Sequence, residues 1–210
     1  MDATAPRYER PPISLIESDI HPYGISLFVG GMEGASDLEL LKANGVTTVI
    51  NCAVNLDFNY VSDPLSPQGQ PVDYGYGDIR YYKLGLIDGP GNPETMFVAG
   101  YYLLRGALDQ VLPERHTYPR RERGNVLVNC RGGRSRSVAL TALFLHLTLP
   151  DRYPRLEDAL DHVRSQRQLR RDEWFETPKP MLVEAVRRAA GWIRMIESDR
   201  TGTAPLQAAV

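Results

Sequence analysis

The sequence VLVNCRGGRSRSVALTALFL at residues 126–145 carries the strongest indication of how this chain folds. The apolar residues 125–129 (NVLVN) predict a buried strand that ends at Cys130. A short loop containing Gly132 and Gly133 leads to Arg136, and the apolar run after it predicts a helix. A strand, a glycine-containing loop and a helix in this order build an anion cradle, because loop N–H groups point inward and the helix N-terminus adds positive potential.

The loop has the form C-x5-R, which alone is weak evidence because arginine is frequent in this chain. In the predicted cradle, however, it fits the hydrolysis of a phosphate monoester. Cys130 would attack phosphorus in line, and the fork-shaped guanidinium of Arg136 would hold two phosphate oxygens. The helix terminus and adjacent cations lower the pKa of such a thiol and so favour the thiolate. We expect the intervening loop to bind phosphate, chiefly through its backbone N–H groups. The residues of this loop are Arg131, Gly132, Gly133, Arg134 and Ser135.

The leaving group of this reaction needs a proton, and Asp88 is the best candidate for the general acid. It lies on the turn DGPGNP just after a predicted strand at residues 79–86. Parallel strands would bring this turn to the carboxyl edge of the sheet, beside Cys130. The same carboxyl group could later activate water against a phosphocysteine intermediate. The alternative is that Asp88 only forms the turn, since Asp-Gly is a common turn pair.

The rest of the chain alternates predicted strands and helices, and this order favours an α/β fold. We expect a single domain with a central, mostly parallel sheet flanked by helices, and with the C-x5-R phosphate loop between a strand and a helix. The further predicted strands are 25–29 and 46–51, and the further predicted helices are 36–44, with Ser36 as N-cap, 94–112, 155–167 and 180–196.

The length of 210 residues fits one large domain. We place a catalytic domain at residues 21–198, preceded by an N-terminal extension at 1–20 and followed by a flexible tail at 199–210. Inside the domain, the polar stretch 55–78 is longer than an ordinary connection. It is either a functional lid or a disordered insertion.

The net charge of −2 disfavours a uniformly basic nucleic-acid binder, so we expect no nucleic-acid partner. The charge is uneven: residues 1–100 carry 5 basic and 13 acidic side chains, whereas residues 101–210 carry 19 and 13. Of the 24 basic residues, 21 are arginine. That bias suits bidentate contacts to oxyanions, or it reflects a GC-rich genome.

Two cysteines are too few for a disulfide scaffold or a four-thiolate zinc site, and the four histidines lack metal-ligand spacing. We therefore expect neither a metal nor another cofactor. The N-terminus shows no apolar signal segment, and the longest nearly apolar run, 138–149, is shorter than the about 20 residues that span a bilayer. The sequence predicts a cytoplasmic protein without a transmembrane segment, and it leaves the oligomeric state open.

Residues 25–170 resemble the dual-specificity phosphatases of the cysteine-dependent protein tyrosine phosphatase superfamily. The resemblance implies an enzyme in which Cys130 is the nucleophile, Arg136 binds phosphate and Asp88 is the general acid. It also implies that Ser137 assists release of the thiolate. The implied activity is hydrolysis of protein phosphotyrosine, with phosphoserine and phosphothreonine, through a phosphocysteine. The segments that carry the resemblance are ISLFVGG (25–31), VTTVINCA (46–53), LGLIDGPG (84–91), VLVNCRGGRSRSVALTALFL (126–145) and LEDALDHVRSQR (156–167).

Asn129 departs from the family pattern, in which a histidine precedes the nucleophile. An asparagine cannot carry a charge, so we predict that the pKa of Cys130 is less depressed, and the pH optimum higher, than in relatives. A weakly active phosphate-binding module is therefore an alternative function. Against it, a pure binder would need neither the thiol of Cys130 nor the carboxyl group of Asp88.

The phosphate loop is unusually cationic, because Arg131 and Arg134 lie beside Arg136. Either these two side chains point to solvent, or they select a more anionic substrate. The loop sequence CRGGRSRS is similar to CKAGRSRS in the mitochondrial phosphatidylglycerophosphate phosphatase branch, and basic loops recur in phosphoinositide and RNA 5′-phosphatases of the superfamily. A lipid phosphate is therefore the main alternative to a phosphoprotein or another anionic phosphomonoester.

Cys52 follows the predicted strand that we place beside the strand of Cys130. It forms a reversible disulfide that protects the nucleophile, as in some relatives, or it is a small buried core residue.

Overall fold

The computed structural model describes residues 10–67, 72–118 and 121–200, with only the backbone of Arg200. The strands in this part of the chain are β1 (Ile13–Ile20), β2 (Ile25–Gly30), β3 (Val46–Ala53), β4 (Val61–Pro64), β5 (Gly75–Gly77), β6 (Arg80–Leu86) and β7 (Asn125–Asn129). The α-helices are α1 (Met32–Ser36), α2 (Leu38–Ala43), α3 (Thr95–Asp109), α4 (Arg136–Thr148), α5 (Leu156–Gln166) and α6 (Pro180–Arg200).

The central sheet has five strands in the order β1-β2-β7-β3-β6. Strands β2, β7, β3 and β6 run parallel, and β1 is antiparallel to β2. The predicted α/β fold with a mostly parallel sheet is thus confirmed. Strand β7 lies in the middle, where both faces are covered, and this position explains its continuous run of apolar residues.

Helices cover both faces of the sheet, and α4 is the most deeply buried of them. The larger core joins the sheet to α3, α4, α5 and α6, and the smaller core lies under α1 and α2. All residues of α4 from Arg136 to His146 are buried. Full burial of an apolar side chain such as Leu140 contributes about 1.5 to 3 kcal/mol, so the packing of α4 fixes its first turn firmly.

Strand β1 lies inside the stretch 1–20, which the sequence predicts to precede the domain. It pairs with β2 from Ile13 opposite Gly30 to Ile20 opposite Ile25, and its isoleucines are buried. The predicted boundary at residue 21 therefore cuts the sheet, and the folded domain begins before β1. Residues 1–9 lie outside the described residues.

Two helix boundaries also differ from the sequence prediction. The predicted helix at 36–44 is two short helices, because Asp37 has extended backbone and caps α2 by accepting a hydrogen bond from the Leu40 N–H at 2.9 Å. Asp37 is therefore the N-cap that the sequence assigned to Ser36. Helix α6 continues to Arg200, whereas most of the predicted tail, residues 201–210, lies outside the described residues.

The stretch 55–78 contains ordered structure rather than only a disordered insertion. Strands β4 and β5 pair as a small antiparallel sheet, and residues 68–71 are not described. The Tyr60 hydroxyl donates to the carbonyl of Ala35 at 2.6 Å, and the Tyr60 ring contacts the Tyr81 ring edge-on. These contacts attach the stretch to the smaller core. None of the helices in the described residues has the length and hydrophobicity needed to cross a membrane.

Candidate active site

The phosphate loop runs from the end of β7 at Cys130 to the start of α4 at Arg136. Gly133 allows its tight path, since φ there is +62°. A Cβ atom at Gly133 would lie 2.6 Å from the carbonyl carbon and oxygen of Gly30 and 2.9 Å from the nitrogen of Gly31. Because those neighbours are backbone atoms of β2 and the turn after it, the loop cannot hold a larger residue at Gly133 without moving.

The Cys130 side chain is buried at the base of this loop, with 3% of its surface exposed. Burial alone raises the pKa of the thiol, but several contacts outweigh it and leave the pKa below its ordinary value. They are hydrogen bonds from the hydroxyl and N–H of Ser137, the positive charge of Arg136 and a hydrogen bond from the N–H of Arg134. The loop thus favours the thiolate, which is the nucleophilic form.

Arg136 is buried at the first residue of α4. Its Nη1 donates to the carbonyl of Leu86 at 3.1 Å and to Oδ1 of Asn55 at 3.4 Å. The buried Nε has no hydrogen-bond partner among the described residues. The guanidinium therefore joins the phosphate loop to the end of β6, and it keeps an N–H available for an oxyanion.

Asp88 follows β6, at the carboxyl end of the parallel strands. One of its carboxylate oxygens lies 4.0 Å from Nε of Arg136 and 3.9 Å from Nζ of Lys179. The structure thus brings Asp88 to the same sheet edge as Cys130, where the order of parallel strands predicts it. The side chain is half exposed, so a leaving group can reach it.

A single pocket of about 290 Å³ contains these groups. It is at the small end of the about 300 to 1,000 Å³ typical of ligand sites. Within the described residues, no group of three or more His, Cys, Asp and Glu side chains is arranged to hold a metal ion. The pocket is lined by Asp88, Cys130, Arg131, Gly132, Arg134, Ser135, Arg136, Glu176, Thr177 and Lys179.

Comparison with individual known proteins shows the family to which this chain belongs. No protein-family model matches the chain. Human dual specificity protein phosphatase 14 is 32% identical over 149 residues, which cover 68% of this chain and 61% of that protein. Human dual specificity protein phosphatase 2 is 27% identical over 167 residues, which cover 79% of this chain and 41% of that protein. The chain belongs to the dual-specificity phosphatase branch.

Solved structures support the same fold. The structure of human DUSP28 matches with a TM-score of 0.57 at 19% identity, and the match covers 89% of this chain and 97% of that one. A mouse putative dual specificity phosphatase matches with a TM-score of 0.55 at 19% identity, covering 93% and 97%. The chain spans about three fifths of the length of dual specificity protein phosphatase 14, at 61%.

Arg131 and Arg134, the two loop arginines of this chain other than Arg136, lie in different environments. Arg134 forms ion pairs with Glu173 at 3.2 Å and Glu176 at 4.0 Å, so its charge is balanced within the protein. Arg131 is exposed and has no carboxylate partner among the described residues. Of the two, Arg131 is the cation free to meet an anionic group on a substrate.

Asn129 occupies the position where the dual-specificity phosphatase pattern has histidine. Its side chain is fully buried, and neither its amide nitrogen nor its amide oxygen has a hydrogen-bond partner among the described residues. It therefore contributes no hydrogen bond to the thiolate. The depressed pKa of Cys130 rests on Ser137, Arg136 and Arg134 instead.

Cys52 lies in the same core as Cys130, and both thiols are free and buried. Burial raises the pKa of Cys52 well above its ordinary value, and the charge of Cys130 raises it further. Burial therefore favours the protonated form of the Cys52 thiol. Its role as a redox partner stays a prediction.

Sequence reasoning missed the residue that supports the phosphate loop from behind, Arg167. Its Nε donates to the carbonyl of Gly133 at 3.1 Å, and its Nη1 donates to Oγ of Ser14 at 2.9 Å. Burial lowers the pKa of Arg167 to about 10, which still leaves the guanidinium charged at neutral pH. Nothing in the sequence marks it, because its partners are the carbonyls of Gly133 and Pro11 and the hydroxyl of Ser14, all far from it in sequence.

Proposed function

We propose that this chain is a phosphatase that hydrolyses phosphomonoesters through a phosphocysteine intermediate, acting on protein phosphotyrosine with phosphoserine and phosphothreonine. The observation that carries the proposal is the presence of Cys130, Arg136 and Asp88 around one pocket. A thiolate, an oxyanion-binding guanidinium and a carboxyl group are the parts that this two-step reaction needs.

The first step transfers the phosphoryl group to the protein. The Cys130 thiolate attacks phosphorus, a sulfur–phosphorus bond forms, and the ester bond to the leaving oxygen breaks. The Asp88 carboxyl group donates its proton to that oxygen. Arg136 and the loop N–H groups hold the equatorial phosphoryl oxygens, where negative charge gathers in the transition state.

The second step returns the thiolate. The Asp88 carboxylate takes a proton from water, the water oxygen attacks phosphorus, and the sulfur–phosphorus bond breaks to release inorganic phosphate. The leaving sulfur carries the negative charge, and Ser137 lies 3.2 Å away as the hydrogen-bond donor. Ser137 therefore supports the thiolate both as nucleophile and as leaving group.

The names of the relatives favour a phosphoprotein substrate over a lipid phosphate, since they are described as protein phosphatases. The pocket also contains more than a phosphate-binding module needs, because binding requires neither the thiolate nor Asp88. A cytoplasmic location and the absence of a nucleic-acid partner remain predictions from the sequence.

A turnover panel tests this proposal. Purified protein is assayed on an aryl phosphate, on phosphotyrosine, phosphoserine and phosphothreonine peptides, and on phosphatidylglycerophosphate and phosphoinositides, with Cys130→Ser as control. We expect turnover of the aryl phosphate and the phosphopeptides, loss of all turnover in Cys130→Ser, and a trapped phosphoryl group on Cys130 after rapid acid quench. Preferential turnover of the lipids would overturn the substrate class. Vanadate binding without turnover would overturn the enzymatic function.

A further inference from the structure

Lys179 connects the two loops of the site, and the proposed reaction scheme leaves it without a role. Its backbone N–H donates to Oγ of Ser135 in the phosphate loop at 3.0 Å. Its Nζ donates to the backbone carbonyl of Asp88 at 2.7 Å. One residue therefore contacts both the phosphate loop and the loop that carries the general acid.

The backbone of Lys179 is itself well anchored. Its carbonyl accepts hydrogen bonds from the N–H groups of Leu182 at 2.9 Å and Val183 at 3.2 Å, in the first turn of α6. Leu182 is buried in the larger core. Nearby, Arg164 of α5 donates to the carbonyl of Thr177 at 2.8 Å. The ammonium group thus extends from a fixed base, and only its flexible stem separates that base from Asp88.

The loop at Asp88 has few other attachments. Asn92 ties the turn to itself, through hydrogen bonds with the N–H and carbonyl of Ile87, each at 2.8 Å. The Asp88 carboxylate has ion-pair neighbours only in Arg136 and Lys179 among the described residues. Arg136 holds the end of β6 through the carbonyl of Leu86 and must also hold the substrate phosphate. Among the described side chains, Lys179 is the one that hydrogen-bonds to Asp88 itself.

The ammonium group of Lys179 contacts the backbone of Asp88 more closely than its carboxylate. The short hydrogen bond of Lys179 goes to the backbone carbonyl of Asp88, whereas the carboxylate oxygen lies farther away, at 3.9 Å. The lysine therefore holds the peptide unit and leaves the carboxyl group free to give its proton to a leaving oxygen. Small displacements of a reacting group cost much rate, so such a tether affects catalysis without touching substrate.

We propose that Lys179 is a positioning residue that holds the Asp88 loop over the phosphate loop, so that the Asp88 carboxyl group meets the leaving oxygen. This inference rests on the proposed phosphatase function. A substrate-binding role or a purely structural role for the lysine would instead lower kcat/KM by a similar factor for every leaving group.

The test uses a series of aryl phosphates whose phenols differ in pKa. A poor leaving group needs the general acid, whereas a good one departs without it. We expect Lys179→Met to lower kcat/KM, which reports the transfer of the phosphoryl group to Cys130, roughly tenfold for the poorest leaving group and less than about twofold for the best. The loss for the poorest leaving group is then a part of the about 10²- to 10⁴-fold that general acid catalysis contributes. Lys179→Arg should restore part of the loss in kcat/KM.

Two controls make the result specific. Lys83→Met removes a lysine that pairs with Asp57 at 2.7 Å outside the pocket, and it should leave the dependence on leaving group unchanged. Asp88→Asn should show the same dependence as Lys179→Met but more strongly. Adding Lys179→Met to Asp88→Asn should then cost little more, since both changes act on one step.

The outcomes separate the hypotheses. An equal loss of kcat/KM across the phenol series would overturn the positioning role while leaving the phosphatase function intact. If Lys179→Met loses turnover of every aryl phosphate and Lys179→Arg restores none of it, the positioning role is likewise overturned. Absence of turnover by the wild type on every aryl phosphate would overturn the proposed function and this role with it. A cooperative thermal unfolding transition, measured for each variant, checks that the variant is folded.

Discussion

The Oγ atom of Ser137 lies 3.2 Å from the Sγ atom of Cys130, and both side chains are buried. Taking a thiolate out of water costs free energy, and a hydroxyl at hydrogen-bond distance offsets part of that cost. Since Ser137 belongs to the rigidly packed first turn of α4, this donor stays in place without reorganisation. The pair is therefore central to the reactivity of the site.

Removal of the Ser137 hydroxyl should raise the pKa of Cys130. A hydrogen bond to a charged group contributes about 1.5 to 3 kcal/mol, so loss of the Ser137 hydroxyl should move the pKa of Cys130 back up toward its ordinary value. The measurement is the rate of Cys130 alkylation by iodoacetamide against pH. Thr141→Val is the matched control, because the buried Thr141 hydroxyl on the same helix has no hydrogen-bond partner among the described residues. An unchanged midpoint in Ser137→Ala would contradict the prediction.

Introduction of histidine before the nucleophile should lower the pKa of Cys130. Asn129 cannot carry charge, whereas an imidazolium next to the thiolate stabilises it. We expect Asn129→His to move the alkylation midpoint to lower pH. Asn129→Leu, which has a similar shape, should leave the midpoint unchanged, since the buried amide forms no hydrogen bond within the described chain. Identical profiles for the wild type and Asn129→His would refute this.

The two loop glycines should respond differently to alanine. At Gly133 a Cβ would meet backbone atoms of Gly30 at 2.6 Å in a left-handed conformation, whereas at Gly132 the nearest neighbour is the Arg134 side chain at 3.7 Å. Gly133→Ala should destabilise the protein by about 1 to 3 kcal/mol and lower kcat/KM about 100-fold. Gly132→Ala should stay within a few fold of the wild type. Urea unfolding and aryl phosphate kinetics measure both, and equal behaviour of the two variants would show that the clash is relieved.

Cys130 and Cys52 should contribute to the free energy of unfolding with opposite dependences on pH. The pKa of Cys130 is lowered in the folded state, so its contribution is full above the unfolded thiol pKa of about 8.5 and is lost as pH falls through the folded value. The pKa of Cys52 is raised, so the contribution of Cys52 is full below about pH 8.5 and is lost above it. Urea unfolding from pH 6 to 10 measures this for the wild type, Cys130→Ser and Cys52→Ala.

The stability advantage of the wild type over Cys130→Ser should therefore grow as pH rises toward about 8.5, and its advantage over Cys52→Ala should shrink beyond that pH. Parallel stability curves for all three proteins would contradict the opposite shifts. The same samples test the redox hypothesis for Cys52, which predicts a Cys52–Cys130 linkage by peptide mass mapping after peroxide treatment.

Several elements could be predicted from local sequence. The apolar strand before Cys130, the glycines of the loop and the apolar helix after Arg136 each follow from near neighbours in the chain. The order of parallel strands even placed Asp88 at the correct sheet edge. Strand β1 was missed, because its polar residues Glu17, Ser18 and Asp19 interrupt the alternation and its identity as a strand depends on pairing with β2.

The α/β class, the phosphate loop and the candidate nucleophile follow from local sequence, because they depend on residue type and spacing within about 20 neighbouring residues. The contacts that support that loop come instead from the packing of distant segments: Arg167 donates to Gly133, Arg136 donates to Asn55, and Lys179 contacts both Ser135 and Asp88. Most of these bonds go to backbone carbonyls or hydroxyls far away in sequence. Every residue has a carbonyl, so no residue pattern reveals such a partner until packing brings the two segments together.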